Sequence, residues 1–190
     1  MCKLKSAIVL KNKIFMPDYD SHSQMLEELG IRDDYLGASK TFVRVELSPS
    51  DGDVFSNIDT WKFTIDQDIK PEWFSEDEYR PLVVEKTKEW AKYHIHIGVN
   101  GLKIDEGTNH YIKNCKNVVV CDSASISKVC GSASISKVCG SASISKVCDS
   151  ASISYVCGSA SISEVCNSAS ISYVCDSASI SYVCDSASIS

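Results

Sequence analysis

No apolar run in this 190-residue chain approaches the roughly 18 residues that a membrane-spanning helix needs, so no span is expected. A secretion signal is missing in the same sense. Ala7-Ile8-Val9-Leu10 follows the basic start Met1-Cys2-Lys3-Leu4-Lys5, but it is too short for a signal core and is closed by Lys11 and Lys13. An amphipathic strand is the better reading, and the expected compartment is the cytoplasm, with reduced thiols. Charge of one sign is not concentrated anywhere either. The net charge is −6, and residues 121–190 set Lys128, Lys137 and Lys146 against Asp122, Asp149, Glu164, Asp176 and Asp185. That balance argues against nucleic acid or an anionic membrane as partner. A glycine-rich phosphate loop is absent, and no Ser-His-Asp arrangement assembles. No catalytic, cofactor-binding or metal-ligating residue is therefore assigned, and no cofactor is expected.

What the chain does have is repetition. From Cys121 the units read CDSASISKV, CGSASISKV, CGSASISKV, CDSASISYV, CGSASISEV, CNSASISYV, CDSASISYV and a final CDSASIS. Most of the ten cysteines belong to this period, so their spacing reflects the repeat and not a set of chosen bridges. The second position is always Asp, Gly or Asn, residues that tolerate tight turns and positive φ. The eighth varies among Lys, Tyr and Glu, as a solvated site does. Ser-Ala-Ser-Ile-Ser alternates with period two, placing Ala and Ile on one face and the serines on the other. The pattern predicts a β-solenoid.

A unit of nine is odd, so the inward face must be reset once per unit. We place the reset between the eighth position and the second of the next unit, with the closing valine turned inward. One unit per coil is too tight: at about 3.3 Å per residue the perimeter is at most roughly 30 Å, while packed sheets need about 10 Å between them. Two units, eighteen residues, leave room for two strands and two turns. That spacing also separates Asp176 from Asp185 and stacks Tyr155 on Tyr173. A single unit buries too little to offset the ordering of its backbone, so stability must come from stacked neighbours and a cap.

Residues 1–96 read as an α+β head that caps the array, 97–120 as irregular first solenoid turns, and 121–190 as the regular β-solenoid. Ser6–Met16, Thr41–Leu47 and Trp61–Ile65 are expected as strands. Ser21 opens a helix as a capping box with Gln24, and Gly30 stops it. Ser75-Glu76-Asp77-Glu78 opens a second helix to about Tyr93, with Tyr79, Leu82, Val83 and Trp90 as its apolar stripe and a kink or restart expected at Pro81.

The segment Trp61-Lys62-Phe63-Thr64-Ile65-Asp66-Gln67-Asp68-Ile69-Lys70-Pro71-Glu72-Trp73-Phe74 resembles one found in uncharacterised proteins of gut bacteria and their phages. Met16-Pro17-Asp18-Tyr19-Asp20-Ser21-His22 and Lys113-Asn114-Cys115-Lys116-Asn117-Val118 carry the same resemblance. It extends along nearly the whole chain: a head of this type followed by short Ser-Ala/Thr and Ile/Val repeats. It implies an architecture and a phage or prophage origin, but no activity and no site.

Several residues invite chemistry and have a plainer reading. His94 and His96 alternate on one face of a strand with His110 downstream, a pattern that can hold a metal, but no Cys or carboxylate stands nearby at ligand spacing. Asp18/Asp20, Asp51/Asp53 and Asp66/Asp68 form Asp-x-Asp pairs, which bind Mg²⁺ or Ca²⁺ in some proteins and cap turns in most. The cysteine columns read as small inert core side chains, and Cys2 and Cys115 have no paired His or Asn that would mark a nucleophile. The leading expectation is a non-enzymatic interaction or scaffold protein, a phage-encoded modulator of a host protein, binding a protein through the solenoid surface. The array stops in mid-repeat, so a homodimer through the C-terminal coil is also expected. The alternatives are a small enzyme or nucleotide-binding head with the repeats as a handle, which requires a deep pocket lined by His22, His94, His96 or the Asp pairs, and an ice- or surface-binding solenoid using its serine rows.

Overall fold

The computed structural model describes residues 4–190, so Cys2 lies outside the described residues. The chain divides into two compact units, one ending at Ala91 and the other running from Lys92 to Ser190. Among the described residues no helix is long and apolar enough to cross a membrane.

The first unit is built on β1 (Lys5–Leu10), β2 (Lys13–Phe15), α1 (His22–Glu28), α2 (Tyr35–Lys40), β3 (Phe42–Ser48), β4 (Lys62–Ile65) and α3 (Glu76–His94). The four strands make one antiparallel sheet in the order β2-β1-β3-β4. The expected single strand Ser6–Met16 is a hairpin, because the chain turns at Lys11-Asn12 and folds β2 back on β1. Alternation sends Ile8 and Phe42 toward Met25 and Leu26 of α1. Ala7, Val9, Val43, Val45 and Leu47 line the other face, all fully buried. Lys5 shares that face and holds its ammonium 5.1 Å from the Trp90 ring centroid, which places α3 there. The same ammonium donates to the Pro17 carbonyl and to Asp20 Oδ1, at 2.6 and 3.0 Å. A buried cation is tolerated when its donors are met in this way.

Helix α1 starts where the sequence puts it: Ser21 Oγ accepts from Gln24 N, and Gly30 leaves the helix at φ 65°. Helix α3 runs unbroken through Pro81. Its buried stripe is Tyr79, Val83, Thr87 and Trp90, whereas Leu82 is half exposed. At 100° per residue Leu82 lies well off the arc that the other four define. Helix α2 escaped the sequence reading because it buries none of its residues. It is held by its cap, with Asp34 Oδ1 accepting from Gly37 N at 2.8 Å.

The second unit is the β-solenoid. Its strands are β5 (Ile95–Ile97), β6 (Lys103–Ile104), β7 (His110–Lys113), β8 (Val118–Val120), β9 (Ser125–Cys130), β10 (Ser134–Val138), β11 (Ser143–Val147), β12 (Ser152–Val156), β13 (Ser161–Val165), β14 (Ser170–Ile171), β15 (Ser179–Val183) and β16 (Ser188–Ile189). They form two six-stranded sheets, one of the odd-numbered strands from β5 and one of the even-numbered strands from β6. All pairs are parallel, and Ile135 stands on Ile153 as Ile144 stands on Ile162, so a coil contains eighteen residues. The array begins before the expected boundary at residue 97, since β5 already pairs with β7.

Ala, Ile and Val of the units up to Ile171 point inward into one continuous apolar core, with Val174, Ala178, Ile180 and Ala187 partly buried against it, while Val183 and Ile189 near the end of the array are exposed. The reset of the face is split, which differs from the expectation of a single reset. In β10, Ile135 and Val138 are buried while Ser136 and Lys137 between them are both exposed. The strand thus makes half the correction as a bulge, and the corner Val-Cys-x-Ser-Ala makes the rest. At that corner Asp122, Gly131, Gly140, Asp149, Gly158, Asn167, Asp176 and Asp185 all adopt φ between 55° and 70°. This is the left-handed region, which only Gly, Asn and Asp enter at low cost. Their side chains add a ladder: Asp149 Oδ2 accepts from Gly131 N, Asn167 Oδ1 from Asp149 N, and Asp185 Oδ2 from Asn167 N, at 2.9, 3.3 and 3.0 Å.

Candidate functional site

The variable eighth position of each unit is the surface the solenoid presents. Eighteen-residue coils sort it into two columns, one per sheet. On the even-numbered sheet Lys137 stands on Tyr155, and the Tyr155 and Tyr173 rings meet edge to face with centroids 5.8 Å apart. Both tyrosines are about half exposed, at 54% and 52%. On the odd-numbered sheet Lys146 stands on Glu164, their charged ends 2.8 Å apart, and Glu164 on Tyr182. The seventh-position serines Ser136, Ser145, Ser154, Ser163 and Ser172 are exposed beside these columns. The surface is regular, amphipathic and backed by a closed core, which suits a rigid contact.

Comparison with protein-family models, with curated proteins and with solved structures returns no match to this chain. Its function is therefore argued from its own geometry.

The cysteines occupy the corners and are free among the described residues. Burial, with Asp149 adding to it, pushes the Cys148 thiol up to about 11. Burial also raises Cys121, Cys166, Cys175 and Cys184. A raised thiol holds its proton at neutral pH and is a poor nucleophile and a poor metal ligand. Glu164, Cys166 and Cys184 do lie together, but the Lys146 ammonium already engages that carboxylate. Cys115 is fully buried in the core, its thiol 3.3 Å from the His96 carbonyl.

The three histidines singled out in the sequence do come together, as a stack. His94 ends α3 and lies over His110, ring centroids 5.1 Å apart, and His96 of β5 lies 5.6 Å from the same ring. His110 Nε2 is 3.1 Å from the Glu106 carbonyl, and its Nδ1 is 3.4 Å from His96 Nε2. A proton on His110 Nε2 donated to Glu106 leaves Nδ1 to accept from His96, so neutral rings satisfy both contacts. Burial above all, then the neighbouring His110 and His94, pushes His96 down to about 4. Gly107 makes room for this arrangement: a Cβ there would sit 2.8 Å from His110 Nε2.

In the first unit the Asp-x-Asp pairs separate by role. Asp51 and Asp53 close turns, accepting from Asp53 N and Phe55 N. Asp20 holds Lys5. Asp66 differs, for its Oδ2 lies 3.2 Å from Nδ1 of buried His22, whose Nε2 is 3.1 Å from the Val45 carbonyl. Buried Glu46 completes the cluster, with one ligand atom from each of His22, Glu46 and Asp66 within 4.8 Å of the others. Glu46 was missed in the sequence because it alternates with Val45 and Leu47 as a solvent-facing residue would, and only the sheet's two-sided cover buries it. Two clefts in this unit, of about 490 and 530 Å³, are lined by Tyr35, Leu36, Lys40 and Trp73 and by Ile31, Arg32, Leu36 and Thr41. Neither is lined by His22 or by an Asp-x-Asp pair.

Proposed function

We propose that the chain is a non-enzymatic interaction protein that binds a protein partner through the outward columns of its solenoid. The observation that carries this reading is the exposed Tyr155–Tyr173 pair, edge to face on a sheet whose inner side is fully packed. Exposed aromatic rings held rigidly give large contact area for little loss of side-chain freedom, and tyrosine is enriched among the residues that dominate interfaces. Serines beside them supply hydrogen bonds, and the Lys146–Glu164 pair on the other sheet adds charge of both signs. As a modulator of a host protein the chain would act by covering a surface, with no chemical step.

Side-chain replacement on an intact fold tests this. The full chain and a Tyr155→Ser/Tyr173→Ser variant would each be immobilised and challenged with host lysate. A partner captured by the parent and lost with the variant, at unchanged far-ultraviolet circular dichroism, supports the reading. Equal capture by both removes the tyrosine column as the binding face.

A further inference from the structure

We propose that His22, Glu46 and Asp66 form a binding site for one zinc-class divalent cation in the first unit. Three separate elements bring the ligands together: the first residue of α1, the middle of β3 and the residue just after β4. His22 offers the right nitrogen. Its Nε2 faces the Val45 carbonyl, so a proton held there is donated, and Nδ1, 3.2 Å from Asp66 Oδ2, is the nitrogen whose lone pair a cation would take in place of a proton. Fixing the tautomer of a ligating histidine through a backbone carbonyl is how metal sites orient the ring.

The second observation is independent of the cluster. In the sheet register Glu46 stands opposite Ser6 on β1 and opposite Thr64 on β4. Directly opposed residues share a face, so a row Ser6–Glu46–Thr64 crosses the sheet beside His22. The Ser6 and Thr64 hydroxyls are buried and have no hydrogen-bond partner, and Ser6 is wholly inaccessible. An orphaned buried hydroxyl costs about 1–3 kcal/mol, and two on either side of one buried carboxylate mark a place built for something more. A hydrated cation answers both, its waters meeting the hydroxyls and its charge meeting the carboxylates. Two carboxylates and a neutral imidazole balance a divalent ion. Asp66 is exposed, so the ion has an entry path and a coordination position open to water, as three-ligand zinc sites have.

Zinc holds nitrogen and oxygen at about 2.0–2.2 Å, so its ligand atoms stand roughly 3.3–3.6 Å apart; His22 Nδ1 and Asp66 Oδ2 are already 3.2 Å apart, and a Glu46 ligand atom lies within 4.8 Å of both. Mixed nitrogen and oxygen donors favour a zinc-class ion over Ca²⁺ or Mg²⁺, which take oxygen alone.

The full chain, stripped with chelator and kept reduced, would be titrated with Zn²⁺ by calorimetry and with Co²⁺ by absorption. One equivalent should bind, and the cobalt spectrum should show visible bands without a thiolate charge-transfer band. Asp66→Asn, at an exposed position that leaves the core untouched, should weaken Zn²⁺ binding by on the order of 10–100-fold, and Glu46→Gln should do the same. Failure to bind at millimolar Zn²⁺ overturns the proposal. So does binding that survives both substitutions with a thiolate band, which would move the site to the cysteine corners, and so does equal affinity for Mg²⁺ or Ca²⁺.

Discussion

The histidine stack should make the solenoid acid-sensitive through His96. This ring is held down to about 4 by burial and by His110 and His94, against 6.5 in an open chain. Between those values the unfolded chain takes up a proton that the folded chain refuses. Stability therefore falls as pH drops below about 6.5, the loss is complete near 4, and above 6.5 both states are neutral and nothing further changes. At about 1.4 kcal/mol per unit the difference is roughly 3 kcal/mol at most. Partial exposure of His96 brings the expected loss to about 1–2 kcal/mol. His96→Gln keeps an N–H donor for His110 Nδ1 and has no proton to gain. Denaturant midpoints by far-ultraviolet circular dichroism would be measured for both proteins from pH 7.5 to 4.5. Carboxylates such as Glu164 titrate equally in both, so the difference in slope isolates His96. Parallel pH profiles would refute the reasoning.

Two further outcomes follow from the coil. Ile144 is buried between Ile126 and Ile162, so Ile144→Asp should cost at least about 3 kcal/mol as an uncompensated buried charge, while exposed Ser145→Asp should shift the melting midpoint little; equal effects would reverse the assignment of faces. At the corners Gly158→Asn should stabilise by about 0.5–1 kcal/mol, because it keeps φ 70° and gives Gly140 N the side-chain acceptor that Asp149 gives Gly131 N. Gly140→Asn should instead destabilise by about 1–3 kcal/mol, since its Cβ would sit 2.7 Å from Asp122 N, against 3.1 Å for the nearest atom at Gly158. Thermal melts of the two variants changing in the same direction would show that the ladder is not what these corners supply.

The solenoid was legible because every force that shapes it is written again in each nine-residue unit. Turn residues at the second position, alternation from the third to the seventh, and solvated variation at the eighth each point to one geometry, and packing distance selects two units per coil. The split reset was not legible. Ser-Ile-Ser-x-Val alternates on paper, and only the need to bring valine inward three residues after isoleucine creates a bulge within the strand. In the head, Leu82 and Glu46 misled for a shared reason: local pattern gives the period of a face but not how many faces are covered. Leu82 is apolar and lies off the buried arc, and Glu46 is charged and lies under a helix. Of the candidate residues, the histidines assembled as a stack, and His22 found Asp66 across forty-four positions of chain, a closure that no local spacing announces.

The repeat separates stability from recognition. The fourth, sixth and ninth positions are Ala, Ile and Val in every complete unit, and the corner position needs only a left-handed φ and, where possible, an acceptor for the coil below. Those demands leave the eighth position free. Coils of eighteen residues then read alternate units into different sheets, so one linear list of eighth residues becomes two independent surfaces. Lys137, Tyr155 and Tyr173 fall in one, Lys146, Glu164 and Tyr182 in the other. A change at a single eighth position alters one column without touching the core or the opposite sheet. Coils of nine residues would have stacked Lys128, Lys137 and Lys146 in one row and set Tyr155 between Lys146 and Glu164. The two-unit coil instead yields an aromatic column and a charge-paired column, and the aromatic one is the face on which we expect a protein partner to lie.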